Sequence, residues 1–541
     1  MRRISAIVLS LSYLLWLAAG IAAQDQPFKN TPARPATAAG LVLREGQPET
    51  PEARTERALE AARGNDGTLY AFLREMPKGG DLHNHDVGAV YAENWIAFAA
   101  ESKLCVDRQK LALARPPCAE GQVDAGTALS DPILYREMID AFSMRNARHS
   151  GQNGHDHFFD TFGKFGAAKE GHMGLVFAEL AQRASRGHLQ YLELMTTADR
   201  GESIGLGAKL SWDHEPSAEE LAAARTSLLG PEMEAVIAHA RKNLDDWYVQ
   251  RDQALQCDAA APAKPEPGCS VTTRHIYPVL RAFPPGQVFS QMVFAFELAS
   301  RDKRYVGVNM VQPEDAYIPM HDFHLHMRMM GFLKELYPMV HVSLHAGELA
   351  PGLVPPDGLG FHIRESVEIG RAERIGHGVD VLYEDNPHEL LAELARRNVL
   401  VEICLGSNDA ILGVKGRQHP LAAYLKAGVP VALATDDEGV SRSDITHEYM
   451  RAVQDQNLDY VTLKRMARYS LEHSFLAGTS LWQDGRKFAT MRECSPEHFA
   501  NPGPACQKLL SASDRAREQW RLEKEFADFE ARFKEEPKHP E

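Results

Sequence analysis

Four short segments of this chain each end an apolar, strand-like run on a metal-binding or acid/base residue. They are Asp81-Leu82-His83-Asn84-His85, His345-Ala346-Gly347-Glu348, Gly376-His377-Gly378 and Thr435-Asp436-Asp437. On a strand, residues two apart share a face, so His83 and His85 can bind one ion together. His345 closes the run 340–344, and Asp436 follows the run 429–434. Taken singly, each has an ordinary structural explanation: a hydrogen-bonded core histidine, or an aspartate capping a helix. Together the four residues form a His₃Asp set with one position left for water, the open arrangement of catalytic rather than structural zinc. Zinc lowers the pKa of such a water to about 7 and provides hydroxide at neutral pH. We therefore expect one zinc per chain, held by His83, His85, His345 and Asp436.

Three further groups would complete the chemistry. Glu348 follows the turn Ala346-Gly347, where glycine lets the chain swing a carboxylate back over the metal. In an enclosed apolar pocket its pKa rises, which suits a proton donor to a departing amine. Its structural alternative is a glutamate in the first turn of a helix. His377, between two glycines, has room to approach the attacking water and orient or deprotonate it. Asp437 is placed to accept a hydrogen bond from substrate; otherwise it is a solvated turn residue. Two more His-x-His pairs, His155/His157 and His324/His326, lie in stretches that read as helical. Two residues on a helix are about 200° apart, so these pairs diverge and are read as surface or packing histidines.

Such distant segments converge only if a sheet brings them together. Eight β-branched or aliphatic runs, each followed by a helical pattern, lie at 80–85, 189–195, 276–283, 305–311, 341–345, 374–377, 399–405 and 429–434. This alternation predicts α/β architecture. Eight units predict a closed (β/α)₈ TIM barrel. The motifs fall at the ends of runs one, five, six and eight, where barrel active sites are assembled. Helical insertions are expected at 105–187 and 211–275. Helices over 443–478 should pack on the barrel, and 514–535 reads as a charged amphipathic helix with Trp520, Phe526, Phe529 and Phe533 on its apolar side.

With Met76-Pro77-Lys78 ahead of the first motif, and Arg374-Ile375-Gly376-His377-Gly378 and Ser470-Leu471-Glu472-His473-Ser474-Phe475 beyond it, the ordered set resembles the adenosine deaminase family of metal-dependent hydrolases. The resemblance runs from about 72 to about 478. His85-Asp86-Val87-Gly88, with the leader and insertions, is most similar to its secreted, growth-factor-type members. The resemblance implies zinc-dependent hydrolytic deamination of adenosine or a closely related aminopurine nucleoside. Glu348 would protonate purine N1, His377 would steer hydroxide onto C6, Asp437 would bind the N7 side, and Asp86 would face the sugar. Several positions depart from the family pattern, among them Asp437-Glu438-Gly439 in place of the more usual Asp-Pro. Asn309 and Gln312 stand where an acidic residue and a glycine are usual, so Gln312 is expected to reshape a substrate contact. Phe158, Phe159, Phe162 and Phe165 either form an apolar lid over the site or simply pack a helix.

The rest of the sequence sets the context. A formal charge of −15 with no basic stripe argues against a nucleic-acid partner. Arg2-Arg3, the apolar run 4–19 and the small residues before Gln24 read as an export signal cleaved near Ala22 or Ala23, with an uncleaved anchor as the alternative. The expected organisation is a signal peptide at 1–23, a flexible leader at 24–52, a deaminase barrel at 53–480 and a C-terminal extension at 481–541. The expected location is periplasmic or extracellular in a bacterium, without stable membrane association after cleavage. Six of seven cysteines fall into local pairs expected to form disulfides, Cys105–Cys118, Cys257–Cys269 and Cys494–Cys506, leaving Cys404 in an apolar run as a free, buried thiol. Oligomeric state is not legible.

Two other readings remain open at this stage. The metal set also permits a different barrel aminohydrolase or amidohydrolase, acting on another purine or a cyclic amide. A bridging lysine of a two-metal centre is absent from 305–312, which favours one metal. The other reading is a non-catalytic extracellular binding protein with a vestigial site; retention of every ligand and of Glu348 argues against it.

Overall fold

Eight parallel strands form one continuous sheet in chain order: β1 (Gly79–His85), β2 (Leu189–Met195), β3 (Thr272–Leu280), β4 (Tyr305–Val311), β5 (His341–Ala346), β6 (Arg374–His377), β7 (Leu400–Ile403) and β8 (Val431–Leu433). The sheet closes on itself where the first strand meets the chain leaving the eighth. Asp436 N donates to His83 O at 2.8 Å and His85 N to Asp436 O at 3.1 Å. The molecule is thus a (β/α)₈ barrel. This computed structural model describes residues 49–534 apart from 213, 259–263, 496–498 and 500. The expected signal peptide and all but the end of the expected leader lie outside the described residues. Pro51 and Glu52 already belong to a helix, Pro51–Ala62, capped by Thr50.

The strands are buried on both faces, as a barrel covered by helices requires. Their lengths differ somewhat from expectation. β3 starts four residues earlier than the run at 276, and β7 ends at Ile403 because Leu405 opens a helix. The first insertion carries a small antiparallel sheet (Cys105–Asp107, Ala112–Ala114, Gln122–Asp124) and helix α1 (Gly154–Phe165), capped by Asn153. The second carries the helix Pro231–Ala254. Past β7 come α2 (Leu405–Leu412) and α3 (Leu421–Ala427).

The end of the barrel away from the motifs is plugged from the C-terminal side. After α4 (Tyr460–Glu472), Phe475 lies under the barrel, with Arg374 3.7 Å above its ring centre. Ser470 Oγ accepts from Gly80 N at 2.8 Å. Helix α5 (Asp514–Glu530) is capped by Ser513 and docks on the barrel through buried Phe526 and Phe529 and the Arg468–Glu523 pair. It stops at Glu530, short of the expected 535; Phe533 lies past its end but still stacks near Phe72.

All three expected disulfides are formed, Cys105–Cys118, Cys257–Cys269 and Cys494–Cys506, and Cys404 is free and buried. Closing loops of this length contributes on the order of 3 kcal/mol each through the unfolded chain. No helix among the described residues is long and apolar enough to cross a membrane.

Candidate active site

The C-terminal ends of β1, β5 and β8 bring four ligand-type atoms to one point. His83 Nε2 lies 3.1 Å from His345 Nε2 and 3.4 Å from Asp436 Oδ1. His85 Nε2 lies 3.1 Å from both. All four atoms fall within 4.8 Å of one another. The outer nitrogens fix the tautomers. His83 Nδ1 donates to Glu402 Oε2 at 2.7 Å, and His345 Nδ1 donates to Asn309 Oδ1 at 2.8 Å. Both Nε2 atoms therefore turn lone pairs toward each other. A single proton would satisfy one of these contacts; a divalent cation at the centre satisfies all of them, so the donor set fits zinc.

Electrostatics agree with that reading. Burial, followed by repulsion from His83, His85 and His377, holds His345 well below the usual histidine range, as a neutral ligand needs. Burial works against the Asp436 carboxylate, but hydrogen bonds from His83 and His85 hold its pKa well below normal. Burial also lowers His83, yet Asp436 and Glu402 outweigh it and raise the ring to about 10, so a proton sits on His83 Nε2 until a cation displaces it.

Around these four sit the acid/base groups. Gly347 adopts φ 71°, a left-handed turn that favours glycine, and carries Glu348 back over the centre. Glu348 does not begin a helix. Its backbone N–H and that of Gly347 both donate to the Glu314 carboxylate, at 2.8 and 3.1 Å. Burial pushes the Glu348 carboxyl up. His377 Nε2 is buried, without a hydrogen-bond partner, 3.8 Å from Glu348 Oε1. Asp437 is buried with its Oδ1 unpartnered, and burial, then Asp436 and Glu348, push its pKa well above the carboxylate range. It packs directly on Gly88, where a Cβ would come within 1.5 Å of Asp437 Oδ1. Three of these residues hold positive φ without being glycine: Gln312 (89°), His377 (67°) and Asp436 (58°). Such strain persists only where surrounding structure over-determines it, and these three of the fourteen such residues described lie at one mouth.

A cavity of about 450 Å³ opens over the centre. His85, Asp86, Gly88, Gln312, Glu348, Asp436 and Asp437 line its polar side. Met195, Leu280, Val311, Phe158, Phe159 and Phe162 line its apolar side. Three of the four phenylalanines thus face the site, whereas Phe165 stacks on Trp95 in the core. Burial raises the Asp86 carboxyl to about 6. Gln312 Oε1 accepts from Ala282 N at 2.8 Å, which pins its side chain at the rim. The other His-x-His pairs stay apart from this centre. His155 pairs with Asp315, His157 with Ser143 O and His324 with Glu365, while His326 is buried in a helix.

Several residues here escaped the sequence reading. Glu402 belongs to a buried chain running down the barrel: Arg374 Nε lies 2.7 Å from Glu402 Oε1, and Arg374 Nη2 donates to Glu193 at 2.5 Å. A lone carboxylate inside the apolar run 399–404 was its signal. Ser407 Oγ donates to Asp436 Oδ2 at 2.6 Å, and Asn408 Oδ1 lies 3.0 Å from His377 Nδ1. Asn309, a departure from the expected acidic residue, accepts from both Nδ1 and backbone N of His345.

Fold and site together define a (β/α)₈ barrel whose strand ends carry a buried His₃Asp cluster able to hold a metal ion. The family model described as "Adenosine deaminase" matches residues 249–480. The match to curated relatives is local. An adenosine deaminase of Clostridium perfringens is 33% identical over 135 residues, 25% of this chain and 37% of that protein. An aminodeoxyfutalosine deaminase of Streptomyces coelicolor is 38% identical over 107 residues, 20% of this chain and 27% of that protein. The matched segments therefore span 27% to 37% of these relatives' own length. Among solved structures, adenine deaminase from Arthrobacter aurescens aligns with a TM-score of 0.47 at 17% identity, over 74% of this chain and 94% of that one.

Proposed function

We propose that this protein is a zinc-dependent hydrolase that deaminates adenosine or a closely related aminopurine nucleoside, releasing ammonia. The observation that carries the reading is the convergence of His83, His85, His345 and Asp436 beside Glu348, His377 and Asp437 in one cavity. His83, His85, His345 and Asp436 would hold one zinc, whose Lewis acidity makes hydroxide available near neutral pH.

The protein's own residues do the rest. Glu348, kept protonated by burial, gives its proton to purine N1 and makes C6 electrophilic. His377 holds the incoming oxygen against C6 as the C–O bond forms. The Glu348 carboxylate then takes the hydroxyl proton of the tetrahedral adduct and passes it to the amino nitrogen. The C6–N bond breaks, ammonia leaves, and a C6 carbonyl remains. Glu348 then regains from solvent one proton, equal to the one that solvent received when the attacking water ionised. N7 of a purine nucleoside only accepts hydrogen bonds, so Asp437 binds it as the carboxylic acid, the form that its burial favours. Asp86 and Gln312 sit at the cavity wall to meet the sugar and the base edge. The phenylalanines of α1 exclude water, which strengthens every charge interaction inside.

The disulfides and the leader support export to the periplasm or beyond. A substrate panel of adenosine, deoxyadenosine, adenine and methylated analogues, followed by ultraviolet absorbance loss on the zinc-loaded chain, tests the proposal. Turnover of a nucleoside is expected. Failure of every aminopurine to react would refute it.

A further inference from the structure

The unpartnered Nε2 of His377 points at the reaction centre, and its other nitrogen begins a buried relay. His377 Nδ1 lies 3.0 Å from the side-chain amide of Asn408, and the same amide lies 2.9 Å from His419 Nε2. The relay ends on the backbone: Leu421 N–H, at the start of α3, donates to His419 Nδ1 at 3.2 Å. His377, Asn408 and His419 are all at most 2% exposed, so the relay is shielded from bulk solvent.

A backbone N–H cannot reverse its role. His419 Nδ1 must accept, and a neutral imidazole then carries its proton on Nε2. Burial, with His377 and Arg451 nearby, lowers the His419 pKa to about 3, so the ring is neutral at physiological pH. Its Nε2–H needs an acceptor, and the Asn408 amide oxygen is the group in reach. Amide oxygen and nitrogen are nearly the same size, so the surrounding network decides which way the amide faces. Here it faces its oxygen to His419 and its NH₂ to His377, the reverse of the orientation in which Oδ1 sits toward His377. The amide N–H then donates to His377 Nδ1, which must accept.

We propose that His419, acting through Asn408, is a positioning residue that makes His377 Nδ1 an acceptor and so fixes the ring's proton on Nε2. His377 therefore presents an N–H, not a lone pair, to the reacting oxygen. It holds and stabilises that oxygen by donating a hydrogen bond and does not take a proton from it. The tautomer follows from the relay alone; its effect on rate rests on the deamination proposed above.

Nitrogen-15 spectra of the full chain labelled on histidine imidazoles test this directly, with the His377 signals assigned by their loss in His377→Asn. Spectra are taken on the zinc-loaded and the zinc-stripped protein. The expected pattern is an unprotonated Nδ1 and a protonated Nε2 in both. Asn408→Asp keeps the shape but can only accept, so it should draw the His377 proton onto Nδ1 and invert the pattern. Turnover of that variant should fall roughly 10²- to 10³-fold with KM little changed, the scale for losing one preorganised donor. A wild-type ring protonated on Nδ1, or on both nitrogens, at neutral pH would overturn the proposal. So would an Asn408→Asp spectrum identical to wild type. Because the spectra need no turnover, a chain that deaminates nothing leaves this test intact.

Discussion

His83 Nε2 and His345 Nε2 face each other at 3.1 Å while each ring donates its outer N–H away from the centre, to Glu402 and to Asn309. Those two outer acceptors, on β7 and β4, decide which nitrogen is free to bind a cation. Orientation of these two candidate ligands is thus set by residues that would not touch a bound ion.

Glu402→Gln should therefore weaken zinc binding 10- to 100-fold, the usual scale for losing such a partner. The Gln oxygen can still accept from His83 Nδ1, so binding is weakened and not abolished. Competition against a chromophoric chelator measures it, and unchanged affinity would remove Glu402 from this role.

Gly88→Ala places a methyl group where Asp437 Oδ1 now lies, 1.5 Å away, so the carboxyl must move. Zinc content should stay at the wild-type value. Turnover should drop on the order of 10²-fold, the cost of misplacing a substrate-orienting group by about 1 Å. Parallel metal analysis and kinetics separate these outcomes.

Glu348→Gln keeps the size of the side chain and removes its proton. Zinc should be retained and turnover should fall roughly 10²- to 10⁴-fold, the range for positioned acid/base groups. Near-normal turnover in this variant would assign proton transfer to another group.

Glu448 offers a stability test away from the reaction. It is buried, accepts from Gly406 N at 2.9 Å, and burial raises its carboxyl from 4.5 to about 7. Between those values the folded chain holds a proton that the unfolded chain has released. The resulting contribution is full below pH 4.5 and is lost as pH rises through about 7. Glu448→Gln removes that dependence, so the wild type should lose stability relative to the variant across this window. Each pKa unit is worth about 1.4 kcal/mol, so the relative change is a few kcal/mol at most. Denaturant melts of both proteins at pH 5 and about pH 8 measure it.

The barrel and its four ligand-type residues were legible because each lies in a short contiguous run: an apolar strand, then a polar residue at its C-terminal end. The same locality exposed the disulfides, whose partners are 12 or 13 residues apart. What the sequence hid depends on distant pairing. Asn309 meets His345 across 36 residues, Glu314 meets Glu348 across 34, and Glu402 meets His83 across 319. Periodicity carries no information about such contacts. Asn309 and Gln312 looked like departures from a family pattern. In three dimensions one orients a ligand and the other is strained at the cavity rim.

The central claim is best tested by elemental analysis of the purified full chain and of His345→Ala, each assayed on an aminopurine nucleoside. One zinc per wild-type chain is expected, with loss of both metal and turnover in the variant. Full zinc occupancy in His345→Ala would contradict it.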